Sequence, residues 1–288
     1  MRSESAEVPA RPASAPPPGR HYLMCPPTYF AVRYSINPWM QLDEPVDAAR
    51  AVAQWQQLHD RLVQLGHTVH VVDPQPDQPD MVFAANGGVA IGDRALVPRF
   101  RHAERAGESA HFAAALADLG ITEIRQARHV NEGEGDFLLT GSRILAGSGF
   151  RSDRRAADEV GDFFGIPVVT LALVDPRFYH LDTALARLAG DTVAYWSGAF
   201  DARSRARLSD LFPDAILATE DDAAALGLNM VSDGSTVIMA PGRDRLARQI
   251  AERGLRVVPL STDELRKAGG GAKCCVLEHH RPTRVPER

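Results

Sequence analysis

The chain has 288 residues, of which 44% are hydrophobic and 24% charged, and its formal net charge is −5. This length and composition allow a sizeable buried core. A nucleic-acid-binding protein usually carries a basic surplus or a basic stripe, and the chain has neither, so we expect no nucleic-acid partner. The apolar runs, such as residues 168–174, are too short to span a bilayer, and residues 1–20 lack the apolar centre of a signal peptide. The sequence therefore predicts a cytoplasmic protein without a membrane partner.

The N-terminal segment differs in composition from the rest of the chain. Residues 1–20 hold five of the 20 prolines and almost no large apolar side chains. Such a segment cannot bury enough surface to offset its ordering entropy, so we expect a disordered tail rich in Pro and Ala. The structured part is expected to begin at His21 and to form a single domain over residues 21–288.

A strong helical signal comes first in the structured part. Apolar residues recur at spacings of three and four: Val46, Ala49, Val52, Trp55, Leu58, Leu62 and Leu65. This spacing places them on one face of an amphipathic helix. Gly66 is expected to end the helix, and the β-branched run at 68–72 predicts a strand after it.

Four later segments each place two short apolar runs on either side of a tight Gly, Asp or Ser turn, and each predicts a β-hairpin. They span residues 89–98, 137–147, 186–196 and 229–240, with a period of roughly 43–50 residues. Helices are predicted after the hairpins, at 103–119, 154–164, 202–211 and 243–253. A β-like run is predicted after each of these helices, as at 166–171 and 255–260. The region before residue 89 fits the same order with a less regular hairpin.

This order predicts an α/β protein built from ββαβ units, repeated five times around a central axis. A doubly wound α/β sheet is the alternative, but it would alternate single strands with helices rather than hairpins with helices. In a ring of five units the loops at one end converge on the axis, which is a natural place for a functional site. Amphipathic helices on the outside of such a ring are also compatible with a homo-oligomer.

The residues best suited to chemistry lie at or near the ends of predicted elements in different units. They are Asp80, Glu132, Asp136, His180, Asp182 and Cys274. Each also has a structural interpretation, because aspartates favour turns, a histidine can be satisfied in a core and cysteines are often small buried hydrophobes. A cysteine with a distant histidine and acid is nevertheless the arrangement of a nucleophile and its base. The glycine run 269–271 before Cys274 predicts close approach of the backbone to a ligand.

The three cysteines, Cys25, Cys274 and Cys275, do not suggest a disulfide framework, since their number is odd and two are adjacent. They indicate reduced thiols and a reducing compartment. A zinc site built from Cys274, Cys275, His279 and His280 is disfavoured, because zinc ligands typically lie about two to four residues apart. The glycine run does not follow the GxGxxG pattern of a dinucleotide site, so we expect neither a metal nor an organic cofactor.

Four short motifs occur in order along the chain: DMVFAANGG (80–88), EGEGD (132–136), HLD (180–182) and GGGAKC (269–274). In these motifs the chain resembles the guanidino-group modifying enzymes of the amidinotransferase superfamily. That group includes arginine deiminase, dimethylarginine dimethylaminohydrolase, arginine dihydrolase and glycine amidinotransferase. The resemblance runs from about Tyr22 to Leu277 and implies a five-bladed α/β propeller that acts on a small guanidino substrate.

The resemblance also implies roles for single residues. Cys274 is similar to the nucleophile of these enzymes, His180 to the general acid and base, and Glu132 to the carboxylate that orients the histidine. Asp80 and Asp182 resemble the acids that bind the substrate guanidinium. Two carboxylates suit a planar cation because they form charge-assisted bidentate hydrogen bonds in its plane.

Two assignments have alternatives. EGEGD is one residue longer than the EGGD of the deiminases, so Glu134 is an alternative to Glu132, with Asp136 as a further guanidinium clamp. Cys275 is an alternative to Cys274, although the order of glycines, basic residue and cysteine favours Cys274.

Four further residues extend the implied site. Arg105 and Arg151 resemble arginines that hold the substrate α-carboxylate. Deiminases and dimethylargininases read roughly D-x-V-F-x-x-D, whereas this chain ends the same motif with Asn86. Asn86 together with Asn37 makes the chain most similar to the arginine dihydrolase branch.

The chemistry expected from the resemblance is hydrolysis of free arginine or an Nω-methylated arginine through a covalent thiouronium on the cysteine. One hydrolysis would give citrulline and an amine, and two would give ornithine, ammonia and carbon dioxide. An amidinotransferase and a non-catalytic arginine-binding relative are the alternatives. The joint presence of the cysteine, histidine, glutamate and both aspartates favours the hydrolase.

Overall fold

Residues 19–281 are the part of the chain that the computed structural model describes, and they form fifteen β-strands and eight α-helices. The strands are β1 (His21–Met24), β2 (Thr68–Val71), β3 (Val89–Ile91), β4 (Arg94–Val97), β5 (Glu123–Gln126), β6 (Phe137–Thr140), β7 (Arg143–Ser148), β8 (Val168–Ala172), β9 (Leu185–Ala189), β10 (Thr192–Tyr195), β11 (Ile216–Leu217), β12 (Val231–Ser232), β13 (Thr236–Met239), β14 (Arg256–Pro259) and β15 (Leu277–His280). The helices are α1 (Ala48–Gln64), α2 (Glu108–Asp118), α3 (Arg155–Phe164), α4 (Leu181–Ala184), α5 (Ala202–Leu211), α6 (Glu220–Ala224), α7 (Asp244–Glu252) and α8 (Asp263–Arg266).

The predicted hairpins and the strands after them are confirmed in four units. Each unit pairs its first two strands antiparallel and its second and third strands in parallel, in the orders β3-β4-β5, β6-β7-β8, β9-β10-β11 and β12-β13-β14. The longer helices α2, α3, α5 and α7 each connect the second strand of a unit to the third. This is the ββαβ order predicted from the sequence. A single doubly wound sheet is ruled out, because the strands form separate sheets and each unit contains an antiparallel pair.

The first unit departs from the prediction of a less regular hairpin. Strand β1 pairs in parallel with β2, but its antiparallel partner is β15 from the other end of the chain, with Leu23 opposite Leu277. β15 also pairs in parallel with β3, so the first two units form one sheet of order β2-β1-β15-β3-β4-β5. The segment between β1 and α1 contains turns and several prolines and supplies no strand.

Helix α1 begins and ends close to its predicted limits. The Asp47 side chain accepts a hydrogen bond from the backbone N–H of Arg50 at 3.0 Å and caps the first turn. Leu58 and Leu62 lie on the buried face, and burial of each such side chain contributes about 2 kcal/mol. The helix ends before Gly66, which has a φ of 87° and so adopts a left-handed conformation that glycine tolerates.

Two predicted boundaries are wrong. The helix predicted over 103–119 begins only at Glu108, after a separate 3₁₀ turn over Ala103–Arg105, because Gly107, a poor helix former, lies between the two elements. Arg20, assigned to the tail, is already anchored: its Nη1 donates to Glu278 at 2.8 Å and its Nη2 to the carbonyl of Asp233 at 2.6 Å. The remainder of the predicted tail, residues 1–18, lies outside the described residues.

The apolar core lies between the sheets and the outer helices. In one large cluster, Leu208 of α5 and Ile250 of α7 pack with strand residues such as Leu188 and Val193, and all four are fully buried. Burial of these faces fixes the helices against the sheets, and the cluster extends across neighbouring units. None of the helices in residues 19–281 is long and apolar enough to cross a membrane.

Candidate active site

The loop that leads into the first strand of each unit carries polar residues that are almost completely buried. In order of the loops they are Asp80 and Asn86 before β3, Glu132 and Asp136 before β6, His180 and Asp182 before β9, Asn229 before β12, and Cys274 before β15; none is more than 2% exposed. Buried polar groups of this kind require partners. Their contacts with one another therefore define the candidate site.

Cys274 lies against an acid and an amide. Its Sγ is 3.1 Å from Oδ2 of Asp182 and 3.1 Å from Nδ2 of Asn229. Burial raises the pKa of the Cys274 thiol well above its ordinary value, and the negative charge of Asp182 raises it further. In this environment the sulfur is a neutral thiol that donates to the carboxylate.

Cys275 has different surroundings from its neighbour. Its Sγ donates to the carbonyl of Gly271 at 3.3 Å. It makes no hydrogen bond to a carboxylate among the described residues. The structure therefore brings Cys274, and not Cys275, into contact with the acid.

His180, Glu132 and Arg151 form a buried chain of charged groups. Oε2 of Glu132 accepts from Nε2 of His180 at 2.8 Å and from Nη1 of Arg151 at 2.7 Å. Burial acts to raise the pKa of Glu132, but Arg151 and the hydrogen bond from His180 outweigh it and hold the pKa well below its usual range. An ionised carboxylate only accepts hydrogen bonds, so Nε2 of His180 carries the proton. The other ring nitrogen, Nδ1, is buried and has no hydrogen-bond partner in the described structure.

Glu134, the alternative partner of His180, faces elsewhere. Its Oε2 accepts from Nζ of Lys273 at 2.9 Å and its Oε1 from Nε2 of His280 at 2.7 Å. These cations lower the pKa of Glu134 against the opposing effect of burial. Of the two glutamates, Glu132 is the one that contacts His180.

Asp80 is held from two sides. The hydroxyl of Tyr34 donates to Oδ2 of Asp80 at 3.0 Å, and Nε of Arg105 lies 3.9 Å from the same oxygen. Arg105 itself forms a bidentate ion pair with Glu108, with distances of 2.7 and 2.8 Å. Burial raises the pKa of Asp80 despite the nearby Arg105 guanidinium.

Asn86 uses both ends of its carboxamide. Its Nδ2 donates to the carbonyl of Glu132 at 2.9 Å, and its Oδ1 accepts from Nη1 of Arg105 at 2.9 Å. An aspartate in this position would place an oxygen against the Glu132 carbonyl. The asparagine therefore joins the Asp80 loop to the Glu132 loop.

Asp136 and Asp182 belong to the same region but have different partners. Asp136 accepts from the hydroxyl of Ser152 at 2.6 Å and from the backbone N–H of Leu181 at 3.1 Å, so it fixes the segment between His180 and Asp182. Burial raises the pKa of Asp136 to about 6. Asp182 presents Oδ2 to the cysteine, whereas its Oδ1 is buried without a hydrogen-bond partner within residues 19–281.

The segment before α1 packs over these acids. Nη2 of Arg151 donates to the carbonyl of Ile36 at 3.1 Å. Asn37 donates to the carbonyl of Ala268 at 3.1 Å and accepts from the N–H of Trp39 at 2.9 Å. Asn37 is therefore at the edge of the site and is held by backbone groups.

The glycine run 269–271 is required by close protein contacts. A Cβ on Gly269, whose φ is 86°, would lie 2.7 Å from the hydroxyl of Tyr179. A Cβ on Gly270 would overlap the ring of Phe83, and one on Gly271 would lie 2.8 Å from Oδ1 of Asn229. The close approach predicted from the sequence therefore occurs against side chains of the protein itself.

Sequence reasoning missed Asn229, Tyr34 and Glu108. Asn229 had a usable signal, since it is the first residue of the hairpin predicted over 229–240, and the acids of the other loops also lie close to the start of a hairpin. Glu108 lies three residues after Arg105, a spacing typical of a helical ion pair. Tyr34 lies in an irregular segment and has no such signal. In the described part of the chain, no group of three or more His, Cys, Asp or Glu side chains is arranged to hold a metal ion.

The fold and the site define an α/β protein with a cysteine, a histidine–glutamate pair and buried aspartates. A family profile described as "N,N dimethylarginine dimethylhydrolase, eukaryotic" matches residues 28–281. The N(G),N(G)-dimethylarginine dimethylaminohydrolase of Mycobacterium tuberculosis is 49% identical over 269 residues, which cover 93% of this chain and 89% of that protein. The chain therefore belongs to the dimethylarginine dimethylaminohydrolase family.

Two solved structures of the N-terminal domain of ArgZ, an arginine dihydrolase from cyanobacteria, are also similar. One is a cysteine-to-serine mutant bound to substrate, with a TM-score of 0.88, 36% identity and coverage of 91% of this chain and 99% of that one. The other is an asparagine-to-serine mutant covalently bound to a reaction intermediate, with a TM-score of 0.87, 35% identity and coverage of 91% and 98%.

Proposed function

We propose that the protein hydrolyses the guanidinium group of free L-arginine or of an Nω-methylated arginine. Cys274 is the nucleophile, His180 the general acid and base, and Glu132 the carboxylate that orients the imidazole. The observation that carries this proposal is the buried contact of 3.1 Å between Sγ of Cys274 and Asp182, whose second oxygen has no partner in the described structure. An unpaired buried carboxylate oxygen is costly, and the N–H groups of a guanidinium would satisfy it.

We further propose that the five ββαβ units are arranged as a propeller around one axis, with the substrate at that axis. The position of the polar residues supports this arrangement. Each unit contributes buried polar residues from the same place, the loop before its first strand. In this arrangement Asp80 and Asp182 bind the guanidinium. A guanidinium has five N–H donors, and neither Arg105 nor Arg151 uses all of them. Arg105 contacts Glu108, Asn86 and the carbonyl of Asp80, and Arg151 contacts Glu132 and the carbonyl of Ile36, so each keeps an N–H for the α-carboxylate.

The unliganded site holds its thiol neutral, so the substrate has to help to activate it. A guanidinium beside Sγ offsets the negative charge of Asp182 and favours the thiolate. The Cys274 thiol passes its proton to Nδ1 of His180, the resulting thiolate attacks the guanidinium carbon, and the protonated His180 gives this proton to the departing amine. Because Nε2 of His180 faces Glu132, Nδ1 is the nitrogen that exchanges this proton. The products of this half-reaction are the free amine and an S-alkylthiouronium on Cys274.

Hydrolysis of the thiouronium completes the reaction. Neutral His180 takes a proton from a water molecule, which attacks the thiouronium carbon and displaces the Cys274 sulfur. The product is citrulline. If the ureido group stays in the site and reacts again with the cysteine and a second water, the products are ornithine, ammonia and carbon dioxide.

The identity of the guanidine divides the proposal into two versions. Family membership and the mycobacterial relative support methylated arginine, with citrulline and an amine as products. Asn37 and Asn86, together with the arginine dihydrolase structures, support arginine, with ornithine as product. A neutral carboxamide suits a site that also has to hold a neutral ureido group.

The test is incubation of the purified protein with L-arginine and with Nω,Nω-dimethylarginine, with mass spectrometry of the products. We expect one of the two guanidines to yield citrulline or ornithine, with turnover that a chelator does not change. The Cys274→Ala variant should lose at least 10³-fold in kcat because the covalent route is removed. Cys275→Ala is the matched control and should retain activity. Activity that survives Cys274→Ala but not Cys275→Ala would contradict the assignment.

A further inference from the structure

We infer that Asn229 is a positioning residue for the nucleophile: it fixes the backbone of Cys274 and donates an N–H to its thiolate. This inference rests on the proposed function, in which Cys274 attacks the substrate. Asn229 lies in the loop before β12. In the corresponding position, the loops before β3, β6 and β9 carry acids, and the loop before β9 also carries a histidine. It is 1% exposed, and nothing in the mechanism above uses it.

The hydrogen bonds of Asn229 determine the orientation of its carboxamide. Oδ1 accepts from the backbone N–H of Cys274 at 3.1 Å and from that of Gly271 at 3.0 Å. Both partners are donors, and only the oxygen of the carboxamide accepts. Nδ2 is thereby directed to the other side, where it lies 3.1 Å from the carbonyl of Asp182 and 3.1 Å from Sγ of Cys274.

This arrangement joins three parts of the site through one side chain. The oxygen end holds the turn that presents the cysteine, and the nitrogen end holds the backbone of Asp182, whose carboxylate faces the same sulfur. Gly271 makes this possible, because a Cβ there would lie 2.8 Å from Oδ1 of Asn229. The last glycine of the run therefore provides room for the asparagine.

The electrostatic effect follows from the donor at the sulfur. Burial and the charge of Asp182 both disfavour the thiolate, so the site needs groups that favour it. The N–H of Asn229 supplies such a contact, with Nδ2 at 3.1 Å from Sγ. A hydrogen bond to a charged group is stronger than one to a neutral group, so this donor acts mainly after the thiol has lost its proton.

Two substitutions separate the contacts. Asn229→Asp keeps the shape and the oxygen that accepts from Gly271 and Cys274, but replaces the donor at the sulfur with an oxygen. Asn229→Ala removes both contacts. Ser232→Ala is the matched control, because Ser232 is a buried polar residue close by that donates to the carbonyl of Leu188 and does not touch the cysteine.

The thiolate of Cys274 is measured by its ultraviolet absorbance in a pH titration without substrate. The same protein with Cys274→Ser serves as the blank, so the difference between the two titrations belongs to Cys274. Both Asn229 variants should raise the midpoint by about one pH unit or more, equivalent to a tenfold smaller thiolate fraction at neutral pH. With the guanidine that the enzyme turns over, kcat should fall about tenfold or more in Asn229→Asp and KM should change much less. Ser232→Ala should lower only the melting temperature.

An unchanged midpoint in a folded Asn229→Asp protein would overturn the inference, and a fall in melting temperature alone would assign Asn229 to stability. The titration needs no turnover, so its result is independent of the proposed function. A protein that hydrolyses neither guanidine, yet shows the shifted midpoint, would refute the function and leave the contact between Asn229 and the thiolate standing.

Discussion

At the scale of single residues, Glu132 and Asp136 show how neighbours decide the charge of a buried acid. Both are almost fully buried in one loop, yet the pKa of Glu132 is lowered and that of Asp136 is raised to about 6. Glu132 contacts the guanidinium of Arg151 and the imidazole of His180, which compensate its lost hydration. Asp136 accepts only from neutral groups, a hydroxyl and an amide, so burial dominates.

The raised pKa of Asp136 gives a stability prediction with a definite sign. Between pH 4 and pH 6 the folded state binds a proton at Asp136 that the unfolded state has lost, so the free energy of unfolding falls as the pH rises, by up to about 3 kcal/mol. The substitution Asp136→Asn removes the titrating group and with it this pH dependence of the free energy of unfolding. The carboxamide can still form hydrogen bonds with Ser152 and with the N–H of Leu181. The variant should be more stable than the parent at pH 7, and the difference should shrink towards pH 4.

Urea unfolding from pH 4 to pH 8 measures this difference. Asp214→Asn, at an exposed position, is the control and should leave the pH profile unchanged. If the free energy of unfolding of Asp136→Asn changes with pH in the same way as that of the parent, burial does not raise the pKa of Asp136.

At the scale of elements, the short 3₁₀ turn Gly133–Gly135 lies against two other loops of the site. A Cβ on Gly135 would overlap Nδ2 of Asn86 and lie 3.3 Å from the ring of His180. Asn86 cannot move freely, because it is held between Arg105 and the carbonyl of Glu132. The turn therefore fixes the position of His180 relative to Asn86.

We predict that Gly135→Ala loses activity while the protein remains folded. The methyl group overlaps Nδ2 of Asn86 and has to displace it by about 1 Å, and misplacement of about 1 Å costs about 10²-fold in rate. Gly190→Ala is a useful comparison: Gly190 lies in the β9–β10 turn with a φ of 53° and open space around its Cβ position. It should lose about 1 kcal/mol of stability and keep its kcat. Equal kcat values for Gly135→Ala and the parent would contradict the packing argument.

At the scale of the whole molecule, local signals explain which parts of the fold could be predicted. The hairpins at 89–98 and 137–147 and the helix before Gly66 rest on turns and periodicity within a few residues, and all three are present. The pairing of β1 with β15 joins segments far apart in the sequence and has no local signature, so the first unit was predicted as a less regular hairpin. The resemblance to a family supplied the acids and the cysteine. It did not supply Asn229, whose role depends on a contact across the site.

The closure of the first unit by β15 depends on charge as well as on pairing. Glu278 of β15 binds Nη1 of Arg20 at 2.8 Å and Nη2 of Arg187 in β9 at 3.2 Å, so it connects both ends of the chain with the fourth unit. Its side chain is 14% exposed. Burial acts to raise the pKa of Glu278, but His280 and these arginines outweigh it and hold the pKa well below its usual range.

We therefore predict that Glu278→Gln lowers the free energy of unfolding by about 2–3 kcal/mol at pH 7, because two arginines lose a partly buried partner. A carboxyl whose pKa is depressed by folding stabilises the protein above its unfolded pKa of about 4.3, and this contribution disappears as the pH falls. The difference between parent and variant in urea unfolding should consequently shrink from pH 7 to pH 3. Glu123→Gln, which breaks exposed ion pairs with Arg94 and Arg125, should change the melting temperature very little. If Glu278→Gln lowers the free energy of unfolding by the same amount from pH 7 to pH 3, the side chain stabilises the first unit by packing and not by its charge.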